Sequence, residues 1–477
     1  MLLQDSLSLL PLLILSATII VALVVVTFWR NHRLVFWISL AGLALALPAI
    51  PFTSPYLPRQ VTPLFTLDGF ALFYLGLILS GGLVTIALSF AYMQKMDGNK
   101  GEYYLLLLLA TLGSAILVVS SHFVSFFLGT GILSLSLYTL IAYTPMQRNR
   151  IEAAIKYLIL VGAASGILLF GMALVYAAVG SMQFGQISLP SNLSRADSNL
   201  LMAGLGLLIA GISFELALVP FHMWTPDVYQ GAPVPMTGFI ATVAKAGMFA
   251  LMVRFFSHVS LPVGSPLWNE FVLIAIASML VGNLLAITQS SVKRVLAYSS
   301  IAHIGYLMVA FLANAVFSSS AMAFYWAVYF ITTLLAFGTI TLLSNPENET
   351  DNLEDYRGLF KKHAVLAVMF SLALLSLTGL PPTGGLVGKF YLAAAGVQAS
   401  LWVLLAALVI GSIIGLFYYM RIAMLMFRQP ENETTAAGSL DRGTTLVLII
   451  LSCALVFLGL YPTPLIGAVS HLVLFSG

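Results

Sequence analysis

The chain has 477 residues, of which 60% are hydrophobic and 8% charged, with a formal net charge of +3 and a mean hydropathy of +1.02. A soluble globular chain carries about 25% charged residues. A water-facing surface of ordinary size is therefore excluded, and a polytopic all-α membrane protein is the expected class. The single cysteine, Cys453, excludes an internal disulfide, a CxxC redox pair and an iron–sulfur cluster held by this chain alone.

In chain order, the first apolar run covers 8–29. Its leader, MLLQDSL, has no positive charge, and the run is too long for a cleaved signal peptide. Runs at 34–52 and 69–93 complete an N-terminal group, 1–102. Runs at 103–120, 122–143, 153–180, 199–220 and 234–256 make a second group, 103–256. A third group, 268–427, holds runs at 268–289, 295–316, 319–344, 363–381 and 400–427, and a last run at 443–462 opens the segment 443–477. About fourteen transmembrane helices are predicted. A β-barrel is excluded, because its strands would alternate apolar and polar residues over about ten positions.

Loop charges give the expected orientation. With the N-terminus outside, fourteen lysines and arginines, from Arg30 and Arg33 to Arg428 and Arg442, fall on the cytoplasmic side. Three, Arg59, Arg195 and Arg254, fall outside. This bias predicts that both termini are periplasmic. The longest loop, NPENETDNLEDYRGLFKKH (345–363), reads as a solvated cytoplasmic connector, the alternative being a docking surface for a neighbouring subunit.

A charge at the bilayer centre costs about 2.5–3.5 kcal/mol on insertion scales, so charges inside spans need a reason. Glu215 is the one acid deep in a run; Lys156, Lys245 and Lys389 are the span-embedded bases, and His303 is buried with them. Bland readings exist for each kind: a snorkelling Lys156, a satisfied core histidine at 303, a structural ion pair at Glu215. Two runs are interrupted, the seventh by Pro220 and the twelfth by Pro381, Pro382, Gly384 and Gly385. Irregular backbone at membrane depth survives only inside protein or beside a wet cavity. Breaks five runs apart predict two inverted repeats, helices 4–8 and 9–13, with sites at their midplane. A row of Glu, Lys, His and Lys across one layer can pass protons where water joins them. GTG and GGLVG lack the context of a nucleotide-binding loop.

At these residues the chain resembles a known family. LALVPFHMWTPDVYQGAPVPMTGFIATVAKAG, VKRVLAYSSIAHIGYLMVA, GLPPTGGLVGKF and EAAIKYLILVGAASGILLFGMALVYAAVGS are similar to the N-subunit family of bacterial proton-pumping NADH:quinone oxidoreductase, over about residues 65–425. The resemblance implies a membrane-arm, antiporter-like subunit that contributes to proton translocation in the bacterial inner membrane. It implies no cofactor bound by this chain, with NADH, FMN, iron–sulfur clusters and quinone in partner subunits. The implied partners are antiporter-like and small membrane subunits, lipid and protons, and no nucleic acid. Lys245 matches the family's central lysine, Lys389 that of the second broken helix, His303 a histidine of the linking axis, and Lys156 the lysine of its KY motif. Two positions depart from the pattern. LGTGILSLSLY has Gly131 where the family has glutamate, and FELALVPFH has Glu215 where it has lysine. Two readings stay open: Glu215 relays protons to Lys245, or it merely neutralises Lys245 in a defunct half-channel. The rival functions are a sodium/proton antiporter subunit and a structural subunit that does not pump.

Overall fold

The computed structural model describes residues 3–29, 31–96, 98, 100–144, 148–187, 194–259, 261–313, 316–429 and 441–472. Arg30, Asp97 and the C-terminal Gly477 lie outside the described residues.

Twenty helices follow in chain order: α1 (Leu3–Ser8), α2 (Leu10–Trp29), α3 (His32–Thr53), α4 (Gly69–Gln94), α5 (Gly101–Val119), α6 (Phe123–Ile141), α7 (Arg148–Val179), α8 (Arg195–Glu215), α9 (Trp224–Gly231), α10 (Val234–Phe239), α11 (Lys245–His258), α12 (Pro266–Ile287), α13 (Val292–Ala313), α14 (Val316–Leu343), α15 (Leu359–Lys362), α16 (Ala364–Thr378), α17 (Gly384–Gln398), α18 (Trp402–Phe427), α19 (Arg442–Leu460) and α20 (Thr463–Leu472). A π-helical turn, Ile240–Ala244, joins α10 to α11, so that Val234–His258 is one continuous span. Thirteen of the described helical stretches are long and apolar enough to cross a membrane. The predicted span at 363–381 is the exception. It is realised as α16, only 15 residues long, which stops at Gly379 because that residue takes a left-handed φ of +85° and its N–H closes back on Leu375 and Ser376.

Two features were not predicted. A two-stranded antiparallel hairpin, β1 (Arg59–Val61) with β2 (Phe65–Leu67), turns the chain before α4. The loop 345–363, read as a solvated connector, is solvated only in part: Leu353, Tyr356 and Leu359 are buried and Glu349 reaches inward. The acidic composition suggested solvent, and Glu347, Glu354 and Asp355 are exposed, but Glu349 meets the buried cations Arg150 and Lys293.

Burial separates the spans. The apolar windows of Val234–His258 and of α13 are entirely buried, whereas those of α7 and α19 are 33% and 28% buried. A helix that is apolar all round belongs either inside the protein or in lipid. Here the polar residues decide which: Lys245, Ser300 and His303 lie on the buried spans. The helices carrying these buried polar groups are thus wrapped by more exposed apolar helices.

Candidate functional site

The first break begins where α8 ends at Glu215. Ala217 adopts a left-handed φ of +60°, and the Leu218 N–H returns to the Ser213 carbonyl. Pro220 has no N–H to continue the ladder. Freed groups find side-chain partners: the Trp224 indole donates to the Phe214 carbonyl at 2.9 Å, and the Val219 N–H donates to Ser278 Oγ on α12 at 2.9 Å.

Glu215 is 8% exposed and its Oε1 has no hydrogen-bond partner. No ion pair joins it to Lys245 or Lys156 among the described residues. The Lys245 ammonium turns to α13 instead, donating to Ser300 Oγ at 2.8 Å, with the Tyr229 ring face 5.7 Å away. Lys156 is held by Glu152 and Asp227, each at 2.9 Å, and its side chain is 45% exposed. It lines an open polar pocket of about 600 Å³ together with Asp227 and Glu347. The structure therefore does not bring Lys156 together with the buried lysines; it ties α7 to α9 at a half-exposed rim. A Cβ built at Gly131 would meet nothing within 4 Å, so the place of the family's glutamate is open space here.

The second break runs from Gly379 to Thr383. Lys389, on the first turns of α17, reaches back across it to the Thr378 carbonyl at 2.9 Å and to Ser412 Oγ at 3.2 Å, with the Tyr306 ring 5.1 Å away. Gly385 is required for this closeness, because a Cβ there would collide with the backbone of Ser376. Pro381 and Pro382 occupy the turn, where no helical N–H is needed, and Gly384 packs under Val328.

Between the two lysines lies His303. Its Nδ1 is hydrogen-bonded to Tyr325 at 2.7 Å and its Nε2 to Tyr419 at 3.3 Å, and Tyr419 in turn meets Ser299. The Tyr329 hydroxyl donates to Ser300 at 2.9 Å while its ring lies 5.3 Å from the imidazole. On the other side Asn283 donates to Tyr306 at 2.8 Å and accepts from Tyr418 at 3.0 Å. The tyrosine and serine members were not singled out from sequence. Their signal was nonetheless present as helical spacing. Ser299 and Ser300 precede His303 by four and three residues on α13, and Tyr325 and Tyr329 are four apart on α14, so each set shares a face. Hydroxyls both donate and accept, so the arrangement can hand protons between basic groups without a metal or an organic group. Among the described residues no cluster of His, Cys, Asp and Glu could hold a metal ion.

Residues 120–415, more than half the chain, match the family described as NADH:quinone oxidoreductase/Mrp antiporter, TM. The chain is 44% identical over 473 residues to NADH-quinone oxidoreductase subunit N of Methylococcus capsulatus, covering 97% of this chain and 94% of the relative. It is 41% identical over 483 residues to the subunit of the same name from Ectopseudomonas mendocina, covering 99% and 97%. Among solved structures it is similar to a chain of respiratory complex I from Thermus thermophilus, with a TM-score of 0.83, 33% identity, and 96% and 99% of the two chains covered. A chain of the Mrp complex from Dietzia sp. shares the fold at a TM-score of 0.87 with 21% identity, covering 99% and 97%.

Proposed function

The chain belongs to the NADH:quinone oxidoreductase/Mrp antiporter family of transmembrane proteins, and from that membership we propose that it serves as membrane-arm subunit N of a proton-translocating NADH:quinone oxidoreductase. It is a multi-pass membrane protein that packs with other membrane-arm subunits. Electron transfer, with NADH, FMN, iron–sulfur clusters and quinone, belongs to partner subunits. This chain supplies proton-handling groups. Near-full-length identity above 40% to subunit N supports this reading over a sodium/proton antiporter subunit, since the Mrp likeness at 21% speaks for fold alone.

The observation that carries proton handling is the buried row Lys245–Ser300, His303 and Lys389. Two ammonium groups that have no carboxylate partner among the described residues stand in the core, each held by hydroxyl or carbonyl oxygens. A buried charge kept without a counter-ion stabilises a fold poorly and is more readily understood as a site. Glu215 is a buried acid whose Oε1 has no hydrogen-bond partner among the described residues. The missing Glu215–Lys245 contact favours relay over neutralisation. The breaks after Glu215 and before Lys389 fall in the seventh and twelfth spans, which supports two inverted repeats with sites at their midplane. The 14-to-3 charge bias supports periplasmic termini in the bacterial inner membrane.

The test is Lys245→Met in the assembled complex. NADH-driven proton uptake by inverted membrane vesicles should be lost or strongly reduced at unchanged complex content. Wild-type uptake would leave a structural subunit that does not pump.

A further inference from the structure

The loop 345–363 packs onto its own chain at the point where the two fully buried spans enter the core. Glu349 Oε2 accepts from Lys293 Nζ at 2.7 Å. Its Oε1 accepts from the Arg150 guanidinium at 3.1 Å, from the Tyr92 hydroxyl, and from the backbone N–H of Val234 at 3.3 Å. Val234 is the first residue of the Val234–His258 span that carries Lys245. Two residues on, Asp351 Oδ1 accepts from Ser291 Oγ at 2.6 Å and from the Lys293 N–H at 3.1 Å, and the Asp351 carbonyl accepts from the Val292 N–H at 2.7 Å. These groups form the first turn of α13, which carries Ser300 and His303. Lys293 completes the junction by donating to the Gln230 and Ala232 carbonyls at 2.8 Å each, at the end of α9.

Two carboxylates on one loop thus hold the entry turns of the two helices whose side chains meet at Lys245 and Ser300. A carboxylate at a helix N-terminus satisfies otherwise unpaired N–H groups and opposes the positive end of the dipole. The geometry is buried: the side chains of Lys293, Arg150 and Glu349 are 0%, 2% and 10% exposed. From the clamp to the Lys245–Ser300 contact the distance along either helix is roughly 12–17 Å at about 1.5 Å per residue. Packed helices transmit a displacement over that length instead of absorbing it.

We propose that Glu349 and Asp351 are positioning residues for proton transfer, setting the register between the Lys245 span and α13 and so the Lys245–Ser300 contact. The inference rests on the reading that Lys245 lies on the proton path. It assigns the longest cytoplasmic loop to alignment of this chain's own relay, and not to a neighbouring subunit.

The experiment compares Glu349→Gln, Asp351→Asn and their double variant with wild type in membranes containing the whole complex, normalised to assembled complex. Proton uptake and NADH turnover per complex should fall by on the order of 10- to 100-fold in the double variant, the scale set by an ångström-size misplacement. The solvent deuterium isotope effect on turnover should rise, because proton transfer becomes limiting. Complex that is merely scarcer would keep the wild-type isotope effect per assembled enzyme. If the Gln and Asn variants do not assemble, Glu349→Asp decides; it keeps the charge but is one methylene shorter. It should assemble and still raise the isotope effect, and a wild-type rate with a wild-type isotope effect would overturn the clamp. Lys245→Met separates the two readings. If it stops proton uptake while the assembled clamp variants behave as wild type, the clamp alone fails. If Lys245→Met is silent, the proton path and the clamp fall together.

Discussion

Ser300→Ala is the sharpest perturbation of the relay. Lys245 is 1% exposed, and its Nζ donates to Ser300 Oγ at 2.8 Å. The same oxygen takes the Tyr329 hydroxyl at 2.9 Å and is hydrogen-bonded to Tyr229 at 3.4 Å. A hydroxyl offers one donor and two acceptor sites. The Lys245 ammonium and the Tyr329 hydroxyl take its two acceptor sites, and the Tyr229 hydroxyl is a longer third donor to the same oxygen, so Ser300 is the acceptor on which the buried lysine depends. Alanine removes all of this and leaves the buried ammonium without its oxygen. A hydrogen bond to a charged group contributes about 1.5–3 kcal/mol. If that loss falls on the proton-transfer step, the rate drops roughly 10- to 150-fold, since about 1.4 kcal/mol is a factor of ten. The assay is NADH-driven proton uptake in inverted vesicles at matched complex content, with Ser300→Thr as the control that returns the hydroxyl. The reasoning is refuted if Ser300→Ala pumps at the wild-type rate in a complex where Lys245→Met does not pump.

Three further outcomes are expected. Lys389→Ala removes the donor to the Thr378 carbonyl and Ser412; the complex should assemble with proton uptake reduced at least about tenfold, and unreduced uptake would take Lys389 off the path. Glu215→Gln replaces a buried, unpaired carboxylate by a neutral group of similar shape, so assembly should be undiminished. Its proton uptake should nonetheless fall, whereas undiminished uptake would mark the carboxylate as a bystander. At the His258 end of the Lys245 span, Arg254 holds Asp68 through two hydrogen bonds of 2.8 and 2.9 Å. Burial pushes the Asp68 carboxyl up, but the Arg254 charge and hydrogen bonds outweigh it and keep it below its ordinary value. A depressed acid lends stability that is fully present above its unfolded pKa, near 3.9, and is lost as pH falls through the lower folded value. Asp68→Asn should therefore lower the melting temperature of the solubilised complex by a similar amount from about pH 8 to pH 5, the difference shrinking below about pH 4. A difference that vanished between pH 7 and pH 5 would contradict this assignment.

The sequence by itself determined the class, the approximate number of spans, both breaks and three of the buried charges, Glu215, Lys245 and Lys389; Arg150, Arg254 and Lys293, read as loop charges, are buried as well. The physical reason is that lipid imposes a one-dimensional rule: about 20 apolar residues per crossing, with any charge or proline inside a run conspicuous against it. Glu215, Lys245, His303 and Lys389 were legible for that reason alone, and Gly385 with Pro381 and Pro382 for the interruption they make. Which groups touch was decided only by the tertiary structure. Lys156 was read as a span-embedded candidate for the proton path, with a snorkelling side chain as the bland alternative, and it pairs with Glu152 and Asp227 at a half-exposed edge. Glu215 was expected to face Lys245, yet the lysine bonds across to α13. Serines and tyrosines cost little in a membrane helix and so raise no signal in hydropathy, although Ser300, Tyr325 and Tyr419 complete the site. The loop 345–363 looked solvated because its residues are acidic and polar. Glu349 and Asp351 turn inward only because Arg150, Lys293 and two helix N-termini, distant in the chain, converge on them, and such convergence is a property of how helices pack, which no local stretch of sequence encodes.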